Sequence, residues 1–287
     1  MGIVTTAFVQ QYKDNITQLV QQKTTKLKDT VMIDYDFTGE YKFYDQLGAT
    51  EMVQKTSRNQ DTPSIDPDHK RRRISKTDWI HNTLFDTQDQ LSMITDPKSS
   101  YSMSASMAAG RKIDDTIIAA FIATAYTGKT GSTETSFAAA NQIAHGGTGL
   151  NKAKLLSAKE LLDNADVEEE DRFCVCTPAQ ITDLLNTTEV TSADYNTVRT
   201  LVDGTIDTWL GFKFKRISSR RLPVITAGYR GVYCYHKAAM QLAVQRDPVT
   251  RIDQRTDKNY CWQVYTEMTI GATRLEEERI VQVSCAE

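Results

Sequence analysis

Cysteine is scarce in this chain, and its count is odd: five thiols among 287 residues do not make a disulfide scaffold. Cys174, Cys176, Cys234, Cys261 and Cys285 therefore read as reduced, buried side chains. The pair Cys174 and Cys176 has one residue between its members, whereas zinc ribbons and thioredoxin-like sites use two to four. Histidine is scarce too. His69, His81, His145 and His236 fall in separate segments with no pair at helical ligand spacing, so no metal site is indicated. An excess of charge of one sign is almost missing, 34 Lys and Arg standing against 37 Asp and Glu for a formal net charge of −3, and this removes any global electrostatic reason to bind nucleic acid. There is no basic region followed by an apolar core at the start, which argues against a secretory signal. Nor is there a long hydrophobic run: the uncharged stretch between Asp115 and Lys129 falls short of the roughly 20 residues a membrane helix needs. These absences predict a soluble intracellular product without membrane contact.

What is present is a chain of ordinary charged (25%) and hydrophobic (40%) content, long enough for one large domain or two ordinary ones. Its most informative stretch is Met103 to Gly128. Met103, Met107, Ile113, Ile117, Phe121 and Ala125 roughly keep the three-and-four spacing that lines one face of a helix. The other face is mostly Ser, Ala and Thr, which lets neighbours approach closely, and Gly110 is the one weak position. A packing strut is the expected role.

Around it the pattern is mixed. Residues 3 to 31 read as a polar helix or arm with sparse apolar positions, too thin to fold alone. Val31 to Val53 suits strands joined by turns at Gly39 and Gly48. Thr56 to Lys76 reads as a long exposed hairpin or loop, strongly polar and bounded by Pro63 and Pro67. Gly128 to Gly149 is rich in Gly, Ser, Thr and Ala and is expected to be a loop. A helix is predicted over 151–165 with Asn151 as N-cap and Leu155, Leu156, Leu161 and Leu162 on its apolar face. Phe173 to Thr177 reads as a buried strand, and Pro178 opens a further helix. Strands are expected at Phe212 to Ile217, Gly231 to Tyr235, Tyr260 to Ile270 and Arg279 to Cys285, with a short helix at His236 to Val244. No internal repeat is visible.

Candidate chemistry fails on inspection. Gly128-Lys129-Thr130 resembles the end of a phosphate-binding loop, but the required first glycine is Ala123, and the segment follows a helix instead of opening one. His145-Gly146-Gly147 resembles an oxyanion-hole turn without any GxSxG elbow to supply a nucleophile. Asp114 and Asp115 are adjacent on a helix and do not face each other. The acidic run Glu168, Glu169, Glu170, Asp171 suits a solvated face or an interface. The basic run Lys70, Arg71, Arg72, Arg73 lacks interleaved aromatics, so an acidic patch on a neighbouring copy is a better partner than phosphate.

The order of segments then carries a resemblance. AAGRKIDDTIIAAF, with Arg111 and Asp114, is followed by LLDxxxVxxxxRxCVxxP from Leu161 to Pro178, by GTIDTWLGFKF from Gly204 to Phe214 before Leu222-Pro223, and by the KNYCWQVYTEMTIGATRLEEERIVQV ending. Together they are similar to the major capsid proteins of tailed phages with the fold first described for the Hong Kong 97 phage. The match covers roughly residues 75 to 287, and the first 75 fit by layout only.

The resemblance implies an α+β subunit without enzymatic activity or cofactor. An N-terminal arm would span 1–30, an extended hairpin loop 31–80, a peripheral domain with the long spine helix 81–165 and 239–287, and an axial domain 166–238. It further implies assembly as hexamers and pentamers into an icosahedral head around double-stranded DNA, in the cytoplasm of a bacterial host. Portal, scaffolding and cement proteins would be partners, the scaffold being a separate protein, and DNA would be contacted without sequence specificity. Lys70, Arg71, Arg72, Arg73, Glu168, Glu169 and Glu170 are the expected inter-subunit contacts, and Arg111 and Asp114 the expected anchors of the spine helix. Lys70 and Lys76 lie in the loop from which some relatives cross-link to an Asn, but no acceptor is identifiable. A non-viral encapsulating shell of the same fold is the alternative, and a nucleotide-dependent enzyme built on the GKT the most distant reading.

Overall fold

The computed structural model describes residues 21–86, 98–186 and 208–287. The predicted arm therefore lies largely outside the described residues, as do the expectations for 187–207; from Gln21 the chain is irregular, with one 3-10 turn at Lys28–Thr30. Along the described residues run β1 (Met32–Asp34), β2 (Tyr41–Leu47), β3 (His69–Ser75), β4 (Thr77–Phe85), α1 (Lys98–Ile122), β5 (Ala125–Thr127), β6 (Thr133–Thr135) and β7 (Gln142–Ile143). Then follow α2 (Lys152–Asn164), β8 (Arg172–Cys176), α3 (Pro178–Leu185), β9 (Thr208–Trp209), β10 (Phe212–Arg216), β11 (Val224–Thr226) and β12 (Tyr229–His236). Three strands, β13 (Met240–Arg255), β14 (Cys261–Arg274) and β15 (Ile280–Ala286), close the chain. No described helix is long and apolar enough to cross a membrane.

The chain divides into two compact units, the larger formed by Lys26–Thr77, Ile113–Gln245 and Ile270–Glu287. Its centre is a seven-stranded sheet in the order β7-β15-β12-β8-β10-β9, with β11 paired to β12. Side chains alternate across a strand, so β12 serves two layers at once. Val232 and Cys234 join Cys174, Cys176, Val281, Val283 and Cys285 on one face, where Leu155, Ala158 and Leu162 of α2 and Ile181 and Leu184 of α3 cover them. Tyr233 and Tyr235 point the other way, and Phe121 of α1 packs on both rings at 4.8 and 4.7 Å between centroids. Ile113, Ile117 and Phe121 are all buried at four-residue spacing, as an apolar helix face requires. Of the predicted apolar faces, Met103 and Leu156 are the exposed members, at 50% and 43%.

Local rules set the helix starts. The Asn151 side chain accepts from Lys154 N at 2.9 Å. Thr177 and Gln180 form a reciprocal capping box ahead of Pro178.

Three expectations are corrected and a fourth is narrowed. The long helix stops at Ile122, not Gly128, because Ala125–Thr127 leaves it to pair with β3 and β6. His236–Val244 is not a helix: after a 3-10 turn at Lys237–Ala239 it becomes β13, where Met240 to Val244 are buried on both faces and β1 pairs alongside in parallel. A short, mostly apolar run buried on both faces, Gln241 included, carries no period from which the two states could be told apart. Of the hairpin and loop readings of Thr56 to Lys76, the hairpin is the one found: the basic run lies on β3, antiparallel to β2 from Tyr41↔Ser75 to Leu47↔His69, and only residues 48–68 form an irregular excursion. Gly128 to Gly149 is not a plain loop either, since it contains β6, a 3-10 turn and β7.

The smaller unit comprises the chain to Thr25, Asp78–Lys112 and Arg246–Thr269. Within it Gln263 donates to Asn82 (2.9 Å) and Thr269 to Asp78 (2.7 Å), while the Thr250 and Thr266 hydroxyls meet at 2.8 Å. Lys112 Nζ stands 3.7 Å above the Trp79 ring centroid. A Cβ added to Gly110 would meet Thr25 at 3.5 Å, an ordinary contact. Gly110→Ala is therefore expected to stabilise the subunit by about 0.5 to 1 kcal/mol through helix propensity, read as a raised denaturant midpoint. A lowered midpoint would mean that the closer contact outweighs propensity.

Candidate functional site

On β3 the period of two sends the basic run to opposite faces. Arg71 lies across from Asp45 and meets both its carboxylate oxygens, at 2.5 Å from Nε and 3.2 Å from Nη2. That pairing holds the Asp45 carboxyl below the ordinary aspartate value. Arg73 is sandwiched between the rings of Tyr41 and Tyr126, at 4.6 and 4.5 Å. Gly131, at φ +63°, gives them room: a Cβ there would come within 2.7 Å of Arg73 and 2.9 Å of Phe43. Lys70 is exposed, 3.6 Å from Asp68.

Arg72 turns inward and is 6% exposed. Its Nε donates to the Leu275 carbonyl at 2.8 Å and its Nη2 to Glu277. The other Glu277 oxygen takes Arg274 Nε at 3.2 Å. Arg274 is fully buried, and also donates to Thr135 O at 2.8 Å and to the Phe121 and Ala123 carbonyls at the C-terminus of α1. A cation there complements the negative end of the helix dipole.

The acidic run lies between α2 and β8. Glu168 pairs with Arg279 at 3.1 Å and lies 3.9 Å from His236. A bond to its own backbone N–H, with those cations close by, holds its carboxyl below the ordinary range. Burial pulls His236 below the ordinary histidine value, against the opposing influence of Glu168. Asp171 pairs with Lys213 at 2.7 Å. Glu169 and Glu170 are exposed, with no ion pair among the described residues. Beneath them Arg172, 2% exposed, pins the segment by donating to Asp163 (2.6 Å), the Glu168 carbonyl (2.8 Å) and the Val167 carbonyl (2.5 Å).

Arg111 donates to Gln21 Oε1 at 2.6 Å and to the Gln22 carbonyl at 3.4 Å. Asp114 is fully buried and accepts from the backbone N–H groups of Lys26 (3.0 Å) and Leu27 (3.1 Å). The adjacent Asp115 goes elsewhere, to Arg221 at 2.6 Å. Asp114→Ala is expected to destabilise the subunit by about 2 kcal/mol, because it orphans the buried backbone N–H of Leu27 and removes the acceptor of the part-buried N–H of Lys26. Denaturant titration of the isolated subunit would read this, and an unchanged midpoint would remove Asp114 from any anchoring role.

Sequence reasoning missed Lys154, which is 7% exposed and donates to the carbonyls of His145, Thr148, Gly149 and Ser284 at 2.7 to 3.0 Å. The signal available was a lysine on the same helical stripe as Ala158 and Leu161. Lys129 and Thr130 lie in the turn between β5 and β6, where Gly131 N donates back to Gly128 O at 3.0 Å; the required strand-to-helix phosphate turn is missing there. His145 stacks on Tyr229 at 3.8 Å and accepts from Gly147 N. No group of three or more His, Cys, Asp or Glu among the described residues could hold a metal ion.

Among the described residues the geometry is thus one of internal clasps and exposed charge. The model of the family described as "Phage capsid protein" matches residues 4–287. This chain belongs to that family. It is a capsid protein, a structural subunit of the virion and not an enzyme. No curated protein matches it by sequence. Among solved structures, the capsid protein is similar to the capsid of cyanophage P-SCSP1u, with a TM-score of 0.75 and 16% identity over 99% of this chain and 94% of that one. Mycobacterium phage Che8 gives 0.72 and 15% over 96% and 97%. The head of Helicobacter pylori bacteriophage KHP40 gives 0.73 and 10% over 97% and 96%. At such identities the capsid protein shares the fold with these particles, and its residue-level contacts are its own.

Proposed function

We propose that this major capsid protein assembles as hexamers and pentamers into an icosahedral head enclosing double-stranded DNA, in the cytoplasm of a bacterial host. The observation that carries this reading is the β2–β3 hairpin. Leu47 (65%), Met52 (102%), Val53 (59%) and Ile65 (44%) are exposed on it or on its excursion, and apolar surface of this kind calls for a covering neighbour. A closed symmetric assembly supplies that neighbour to every copy. Portal and scaffolding proteins, and cement proteins, are the expected partners. The DNA is contacted through its backbone without sequence reading.

In this reading the chain keeps a three-part division into arm and extended loop (1–80), peripheral domain (81–165 and 239–287) and axial domain (166–238). The seven-stranded sheet draws on 142–143 and 280–286 as well as on 172–236, so it crosses the boundary between the peripheral and axial parts. Arg111 and Asp114 serve as spine-helix anchors, and Lys70 to Arg73 and Glu168 to Glu170 meet neighbouring copies. Purified protein should sediment as capsomers or larger particles and give shells in negative stain. A strictly monomeric species at high concentration, with no shells, would sink the proposal. Shells carrying a protein cargo instead of DNA would point to the non-viral alternative, although the similar structures named above are a cyanophage capsid, a bacteriophage head and a mycobacterium phage.

A further inference from the structure

A groove of about 850 Å³ opens beside the base of the β2–β3 hairpin and the β5–β6 turn. Four permanently cationic side chains line it, Lys70, Arg71, Arg72 and Lys129, against two carboxylates, Asp45 and Glu277. Both carboxylates are already engaged: Asp45 by Arg71, and Glu277 by Arg72 and the buried Arg274 together. One carboxylate thus serves two buried guanidiniums, and Arg72 Nη1 is buried without an acceptor. An unmet donor on a charged, nearly buried side chain is costly. Lys129 is exposed at the rim.

We propose that this groove receives a pair of carboxylates from a second copy of this chain, and that Glu169 and Glu170 supply them. The inference rests on the shell-forming reading above and names one of its contacts. Glu169 and Glu170 form an adjacent, exposed pair of charges with no ion pair of their own among the described residues, and the lining of the groove is two negative charges short of neutrality. Arg172 clamps the backbone that carries them, so they are presented from a fixed base. A nucleic-acid backbone fits less well, because an excess of two positive charges matches a pair of carboxylates and falls short of a run of phosphates.

The test is a charge swap in the full chain. Lys70 and Lys129 are exposed, so K70E/K129E should fold with a wild-type melting transition while particle yield falls at least tenfold. Adding E169K/E170K to the same chain should restore most of the yield, since every groove would again face complementary charge. Unchanged yield in K70E/K129E would overturn the groove's role. A loss that E169K/E170K does not repair would overturn the named occupant. Normal yield with reduced DNA retention would assign the groove to nucleic acid instead and overturn the proposal. If the wild-type protein itself forms no particles, it is the shell reading that fails.

Discussion

Arg274→Ala is expected to destabilise the subunit by about 3 to 5 kcal/mol, the usual scale for breaking a buried ion pair by removing one partner. The side chain has no exposed surface and makes three kinds of contact: a carboxylate in Glu277, the Thr135 carbonyl, and two carbonyls at the end of α1. Deletion takes this donor from the Phe121, Ala123 and Thr135 carbonyls, leaves Glu277 to Arg72 alone, and empties the volume of a fully buried side chain. Against a total stability of 5 to 15 kcal/mol typical of native proteins, a loss of that size shows as insoluble subunit or as a strongly lowered denaturant midpoint. Arg274→Lys should recover only part of it, because a single ammonium cannot span acceptors that a planar fork reaches in several directions. A midpoint within about 1 kcal/mol of wild type for the alanine variant would show that the acceptors find other donors.

Lys154 carries the second large effect, and its chemistry permits a rescue. An ammonium has three N–H donors, here shared among four carbonyl oxygens at 2.7 to 3.0 Å. Those oxygens come from the 145–149 segment and from Ser284 of β15, so one side chain ties the closing strand to the loop that precedes α2. Lys154→Met keeps the stem but removes the charged donor from four carbonyls, of which His145 O keeps Thr148 N and Thr148 O keeps Ala286 N, at an expected cost of about 2 kcal/mol. Lys154→Ala also vacates the volume. Carbonyl oxygens at such distances can replace the hydration shell of a potassium ion. Potassium or ammonium salts should therefore raise the melting temperature of the alanine variant more than sodium at equal ionic strength, with no such difference in wild type. Equal response to all cations, or a wild-type midpoint in the methionine variant, would count against the clasp.

Legibility in the sequence followed the range of the interaction. Asn151, Thr177 and Pro178 mark helix starts through contacts within three residues, and those starts are where the sequence predicts them. Cys174 and Cys176 share a buried face because strand alternation is a local rule. Met240 to Val244 defeat the same reasoning, since burial from both sides erases periodicity and leaves partner strands to decide. Arg72, Lys154, Arg172 and Arg274 are illegible for another reason. Each reads as a surface charge, and the groups that allow its burial include backbone carbonyls, which no residue type announces. Of the expected contacts, Arg71 and Arg73 are engaged across the sheet and Arg72 beneath it, which leaves Lys70 as the exposed member of the basic run. The capsid resemblance was legible from segment order, a pattern that survives at identities where single residues no longer correspond.

Cys174 and Cys234 face each other across β8 and β12 with their sulfurs 3.7 Å apart and unbonded, and all five cysteines are buried. Burial pushes the Cys174 thiol well above its ordinary value, and that of Cys285 up to about 12. Oxidants and electrophiles attack thiolates that they can reach, and the buried Cys174 and Cys285 sulfurs are held as neutral thiols. A particle in oxygenated water would carry that sulfur chemistry sealed. Its shelf life then depends on how often a subunit opens, not on the redox state of its surroundings.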